Sequence, residues 1–186
     1  MTGIRILGSG SRPGADRVSN EDLCRRVDSS DAWISQRTGI QARHLAGPDE
    51  GVESLALEAA REALQAAAIE PQTVDLLVVA TFSPAGRMPA VATTLAAELG
   101  LGEAVLAFDL NGACTGFVQA LDCARNFLAV RPAGRRALVV GAEVISRWVD
   151  WSDRSTCVLF GDGAGAVLVE SAPTPYFSMF GLRPLA

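Results

Sequence analysis

The chain contains no lysine; its positive charge rests on 16 arginines against 21 acidic residues, for a net charge of -5. With no block of cations to neutralise a phosphate backbone, nucleic acid is excluded as a partner. No apolar run reaches the roughly 18 residues of a membrane span. The N-terminus also lacks the charged-then-apolar layout of a signal peptide. A cytoplasmic protein with no membrane partner is expected. The four cysteines, Cys24, Cys114, Cys123 and Cys157, form no CxxC pair and share no ligand spacing with the single histidine, His44. Neither a metal site nor a disulfide framework is expected, and the thiols read as reduced. Internal repeats, low-complexity segments and linkers are missing too.

What is present suits one globular domain with a substantial core: 186 residues, 49% of them hydrophobic. Three short apolar runs, DLLVVAT (75–81), AVLAFDL (104–110) and RALVVGA (136–142), read as strands buried on both faces. Helical periodicity covers 52–68. A second helix spans 89–99, with Pro89 at its first position and Gly100 past its end. A third follows over 115–130. This alternation predicts an α/β domain with a mostly parallel sheet. TCVLF and AGAVLVE suggest a final strand pair turned by GDG at 161–163. GSGSRPG (8–14) lacks dinucleotide-fingerprint spacing and reads as a turn.

The third helix carries a stripe of Phe117, Val118, Leu121, Ala124 and Leu128, yet Ala120, Cys123 and Phe127 put apolar atoms outside it. A helix apolar most of the way round sits between layers.

Cys114 lies in AFDLNGACTGFVQAL, between an apolar strand and this helix. A cysteine at a helix start meets unpaired N–H groups and the positive end of the dipole, which favour thiolate and can receive an oxyanion. A buried, inert thiol is the competing reading, and position alone leaves both open. His44, without a paired carboxylate nearby in sequence, reads as a surface residue of a loop or edge segment. In DSSDAWISQRTGI, Ser30 caps a helix that Gly39 ends. Trp33 and Arg37 share one face, so an aromatic and a cation stand ready for a base and a phosphate, or simply mark a core tryptophan beside a surface arginine. The polar stretch 146–166 could shape a ligand mouth. Its GDGAG is not followed by the Lys-Ser/Thr of a phosphate loop and reads as a turn.

Taken in order, DAWISQRTGI, LLVVATFSP, AFDLNGACTGF, ALVVGAEVISR and DWSDRSTCVLFGDGAGAVLVE resemble the ketoacyl-acyl-carrier-protein synthase III family of the thiolase superfamily, from about Ile4 to about Glu170. The resemblance implies a thiolase-like fold, the N-terminal half (1–172) of a layered αβαβα sandwich with a mostly parallel mixed sheet, followed by a divergent tail (173–186). It implies an acyltransferase of fatty acid or polyketide biosynthesis that takes an acyl group from acyl-CoA onto Cys114. Decarboxylative condensation with malonyl-acyl-carrier protein follows. Acyl-CoA would be substrate, with no cofactor. Trp33 would stack the adenine, Arg154 would lie on its other side, and Arg37 would contact phosphate. Met88 falls where the family reaches across a dimer into the partner's acyl pocket, and its flexible thioether would reshape that pocket.

The same resemblance implies a second, C-terminal half bearing a catalytic histidine and asparagine that have no counterpart in these residues. His44 matches a stretch unconnected with that base. Without a facing layer, several side chains of helix 115–130 would each forfeit about 1.5–3 kcal/mol of burial. Pairing as a homodimer or with a C-terminal-half chain is therefore expected. This half alone should self-acylate at most, without condensing. Transfer of the acyl group to a hydroxyl or amine, or a non-catalytic interface role, are the alternatives.

Overall fold

The computed structural model describes residues 3–172; the tail assigned to 173–186 lies outside the described residues. The elements are β1 (Gly3–Pro13), β2 (Asp16–Ser19), α1 (Asn20–Leu23), α2 (Asp31–Thr38), β3 (Ala42–Leu45), α3 (Val52–Ala67), β4 (Leu76–Ala80), α4 (Val91–Glu98), β5 (Leu106–Leu110), α5 (Gly116–Ala129), β6 (Arg136–Val144) and β7 (Asp162–Ala172). One five-stranded sheet runs in the order β1-β7-β6-β4-β5, and β2 pairs with β3 in a separate two-stranded ribbon. β4 is parallel to both β5 and β6, whereas β7 is antiparallel to both β6 and β1. Four strands thus point one way and only β7 opposes them, a mostly parallel mixed sheet.

Alternation of side chains along the strands builds two cores on opposite faces. Leu77 and Val79 of β4, with Leu138, Val140 and Ala142 of β6, pack with α3 and α4. Leu76, Val78 and Ala80, with Ala137 and Val139, pack with Ala120, Leu121, Ala124 and Leu128 of α5. Continuous apolar runs in the sequence follow from this double coverage. A third cluster joins Leu23, Val27, Ile34, Cys157 and Val158 beneath Trp33 and Trp151. Among the described residues no helix is long and apolar enough to cross a membrane.

Several expectations are corrected. GSGSRPG is no turn; it lies within β1 and its end, paired with β7. Gly8 and Gly10 are required because α3 approaches the strand closely. A Cβ on Gly8 would stand 2.6 Å from both the Ala63 carbonyl oxygen and the Ala67 amide nitrogen. TCVLF is not a strand: Cys157–Leu159 is one turn of 3-10 helix whose Cys157 and Val158 fill the third cluster. GDG is likewise no turn, since Asp162 already opens β7. Its buried carboxylate accepts from Ala46 N at 2.7 Å and Ser146 N at 2.9 Å, pinning β3's exit to β6's exit. Pro89 precedes α4 rather than starting it, because the Asp109 carboxylate on β5 takes the Val91 and Ala92 N–H groups at 2.8 and 2.7 Å and fixes the first turn there. Val118 falls outside the buried stripe of α5, 45% exposed on the side away from the sheet.

Candidate active site

From β4 the chain passes through α4 on one face of the sheet to β5, and from β5 through α5 on the other face to β6. Adjacent parallel strands whose connections leave to opposite faces open a crevice at their carboxyl ends. Cys114 stands at that point, four residues past β5, in a 3-10 turn (Ala113–Thr115) leading into α5.

The turn is tightly built. Thr115 N and Oγ1 donate to the Gly112 carbonyl at 3.1 and 2.9 Å, and Gln119 Nε2 donates to Thr115 Oγ1 at 2.9 Å. Ala113 adopts φ 46°, a left-handed conformation costly for a residue with a Cβ. Strain at a single position beside a candidate nucleophile is where such strain tends to concentrate. At this turn Cys114 is exposed among the described residues, where a thiol acting only as a small core hydrophobe would be buried. By contrast Cys157 is fully buried, and burial pushes its thiol pKa up.

Two hollows meet at Cys114. One, about 310 Å³, lies over the strand ends and is walled by Phe82, Phe117, Ile145, Phe160, Glu143 and Gly141. The other, about 510 Å³, runs along the outer face of α5 past Val118, Asp122, Cys123 and Asn126. No histidine lines either one. His44 sits in β3 with Nδ1 2.8 Å from the Gly14 carbonyl oxygen, on the edge ribbon as expected.

The second constellation forms around Trp33. Ser30 Oγ caps α2 by accepting from Trp33 N at 3.2 Å, and Gly39 ends it at φ 72°. Arg37, one turn on, places its Cζ 4.4 Å from the Trp33 ring centroid. Arg154 arrives from the loop before the 3-10 turn and places its own Cζ 4.9 Å from the same ring, while Nη1 donates to the Asp28 carbonyl at 3.2 Å. That loop is stiffened by Asp153, whose carboxylate accepts from Ser155 Oγ and Thr156 Oγ1, both at 2.6 Å; these hydrogen bonds lower its pKa. Trp33, Arg37 and Arg154 are therefore one cluster although 117 positions separate Arg37 from Arg154 in the sequence. From Arg154 the chain reaches Phe160, on the wall of the Cys114 hollow, in six residues, at most about 20 Å of backbone. Met88 does not join either group: it stands 88% exposed in the loop after β4.

Residues 108–182 match the family described as 3-oxoacyl-[acyl-carrier-protein] synthase III. Over 172 residues, 92% of this chain and 53% of the relative, the sequence is 52% identical to the β-ketoacyl-[acyl-carrier-protein] synthase III of Erythrobacter litoralis. Over nearly its whole length the chain is similar to the β-ketoacyl-acyl-carrier-protein synthase III family. The synthase III of Neisseria meningitidis is 48% identical over 94% of this chain and 54% of its own length. In three dimensions the chain is similar to 3-oxoacyl-[acyl-carrier-protein] synthase III from Aquifex aeolicus, with a TM-score of 0.86 and 44% identity over 92% of this chain and 55% of that one. It matches the priming β-ketosynthase of the R1128 polyketide pathway equally well, at 0.86 and 40% identity, covering 93% and 51%. The chain spans about half the length of the curated relatives it matches.

The walls of the Cys114 hollow, Phe82, Glu143 and Phe160 above all, escaped the sequence reading. Phe82 and Glu143 lie at the carboxyl ends of the parallel strands β4 and β6, where the crevice rule could have found them, whereas Phe160 follows a 3-10 turn and precedes antiparallel β7.

Proposed function

We propose that Cys114 is the nucleophile of an acyltransferase that accepts acyl groups from acyl-CoA. The observation that carries this reading is the exposed Cys114 thiol at the switch-point turn, facing an apolar hollow six residues of chain away from the Trp33–Arg154 cluster. The Cys114 thiolate attacks the thioester carbonyl, and the N–H groups of the turn and of the first turn of α5 stand near the developing oxyanion. CoA leaves as its thiolate, and the acyl group lodges among Phe82, Phe117 and Phe160. Trp33 and Arg154 hold the adenine, and Arg37 contacts a phosphate.

In the complete enzyme, malonyl-acyl-carrier protein then loses CO2. Its enolate attacks the acyl carbonyl, and Cys114 departs as thiolate. The donors that steady the enolate are ascribed to a C-terminal half bearing a histidine and an asparagine, in keeping with the half-length match to the relatives. Acyl carrier protein is the partner for this step, and the relatives' names support it. A second copy would bring Met88 to the neighbouring acyl pocket.

Intact mass after incubation with short acyl-CoAs tests the first step. The chain should gain one acyl group and Cys114→Ala should gain none, with no CO2 released from malonyl-acyl-carrier protein by either. An unmodified wild-type chain refutes the assignment.

A further inference from the structure

The Cys114 hollow contains one carboxylate, Glu143, at the end of β6. An acid in the cavity of a nucleophile invites the role of base, but its hydrogen bonds point elsewhere. Oε1 accepts from Phe82 N at 3.0 Å; Oε2 accepts from Ser83 N at 3.1 Å, from Thr81 Oγ1 at 3.2 Å and from Ser83 Oγ. Four donors from three consecutive residues approach a group with room for about four. The clamp is doubled. Ser83 Oγ also accepts from Val144 N at 3.0 Å, and Thr81 Oγ1 accepts from Ser83 N at 3.3 Å. Thr81 and Ser83 are buried, while Phe82 between them is 42% exposed and forms part of the wall facing Cys114. An exposed phenyl ring on a loop has no packing of its own to hold it, so its place follows from its backbone, and that backbone hangs on Glu143.

We infer that Glu143 is a positioning residue that fixes Phe82 as an apolar wall over Cys114 and so sets the preference of this thiol for longer acyl chains. The inference rests on the acyl-transfer reading for its biological meaning, though not for its test.

The test uses methyl and n-hexyl methanethiosulfonate, which convert a thiolate to a mixed disulfide with loss of methanesulfinate, with labelling at each cysteine read by peptide mass. These probes modify Cys114 whether or not acyl-CoA does, so a failure of acyl transfer and a failure of the clamp are separate results. In Glu143→Gln, which replaces one acceptor oxygen by an amide donor, the methyl rate should hold. The hexyl-to-methyl ratio should fall roughly fourfold, what one methylene of lost burial is worth. Phe82→Ala should lower the ratio at least as far. Buried Cys157 reports integrity: it stays unlabelled in a folded chain. Should Glu143→Gln label there, Ser83→Ala, which removes one donor to the carboxylate and the acceptor for Val144 N, takes its place with the same expected fall. An unchanged ratio in the folded clamp variant, or in Phe82→Ala, overturns the inference.

Discussion

Replacing Trp33 by alanine should weaken binding of CoA by an amount the geometry bounds from both sides. Stacking of a base on an aromatic side chain is worth about 1–3 kcal/mol by alanine substitution. That gain is not free, because Arg154 already covers the ring at 4.9 Å from its centroid. A base with a partner on each face needs two contact spacings of about 3.5–4.0 Å, or about 7–8 Å in all. Arg154 must therefore withdraw by about 2–3 Å and surrender a cation–π contact worth about 0.5–1 kcal/mol at an exposed site. At the middle of both ranges the difference leaves about 1.2 kcal/mol, a roughly eightfold rise in Kd. Calorimetric titration with CoA and with phosphopantetheine, which lacks the adenine, isolates the effect: Trp33→Ala should weaken CoA alone. Arg37→Ala should also weaken CoA, with a loss that shrinks as salt is added, since an exposed phosphate contact is screened. Equal losses for both ligands in Trp33→Ala, or none for CoA, would refute the placement of the adenine on this ring.

Two further outcomes concern the scaffold of the site. Ala113→Gly relieves a left-handed residue that costs about 1–2 kcal/mol and adds unfolded-chain freedom worth about 0.5–1 kcal/mol, for a net gain of about 0.5–1 kcal/mol. Urea unfolding should show a higher midpoint with an unchanged slope, and a lower midpoint would mean that the turn is not strained. Glu50 ties the β1–β2 turn to the loop after β3, accepting from Gly47 N at 3.0 Å and Ala15 N at 2.7 Å, and these bonds hold its pKa below the ordinary glutamate value of about 4.3. A depressed folded value means stability that is complete above the unfolded value and is lost as the pH falls through the folded one. Melting temperatures of the wild type and Glu50→Gln should therefore differ at pH 7 and converge in acid. A gap that widens below pH 4 would contradict this sign.

What the sequence revealed and what it concealed divide along a physical line. Ser30, Gly39 and the period of 52–68 act within a few residues of themselves, so α2 and α3 are readable with their ends. β1 was unreadable because the reason for Gly8 lies in α3, some fifty-five residues away, where Ala63 and Ala67 bring the helix backbone against the strand. The start of α4 was misplaced for the same kind of reason, its cap being supplied from β5 by Asp109 and not by a neighbour in sequence. TCVLF satisfied the pattern of a strand since a buried irregular turn needs the same apolar side chains as a buried strand does.

The candidate site shows the same split more sharply. Cys114 was visible as strand, turn and helix, all local, but its place at the crevice follows from α4 and α5 leaving the sheet on opposite faces, which is a property of the topology. Trp33 and Arg37 announce themselves by spacing; Arg154 could be joined to them only through a family resemblance, and the fold supplies the physical reason by burying Cys157 and Val158 beneath the same tryptophan. The outer face of α5 carries the resemblance one step further. Val118 and Cys123 lie exposed along an apolar groove that begins at Cys114 itself. A surface that covers this groove would also close the Cys114 thiol off from water, so the contact that completes the packing of α5 would also serve the acyl transfer proposed for this residue.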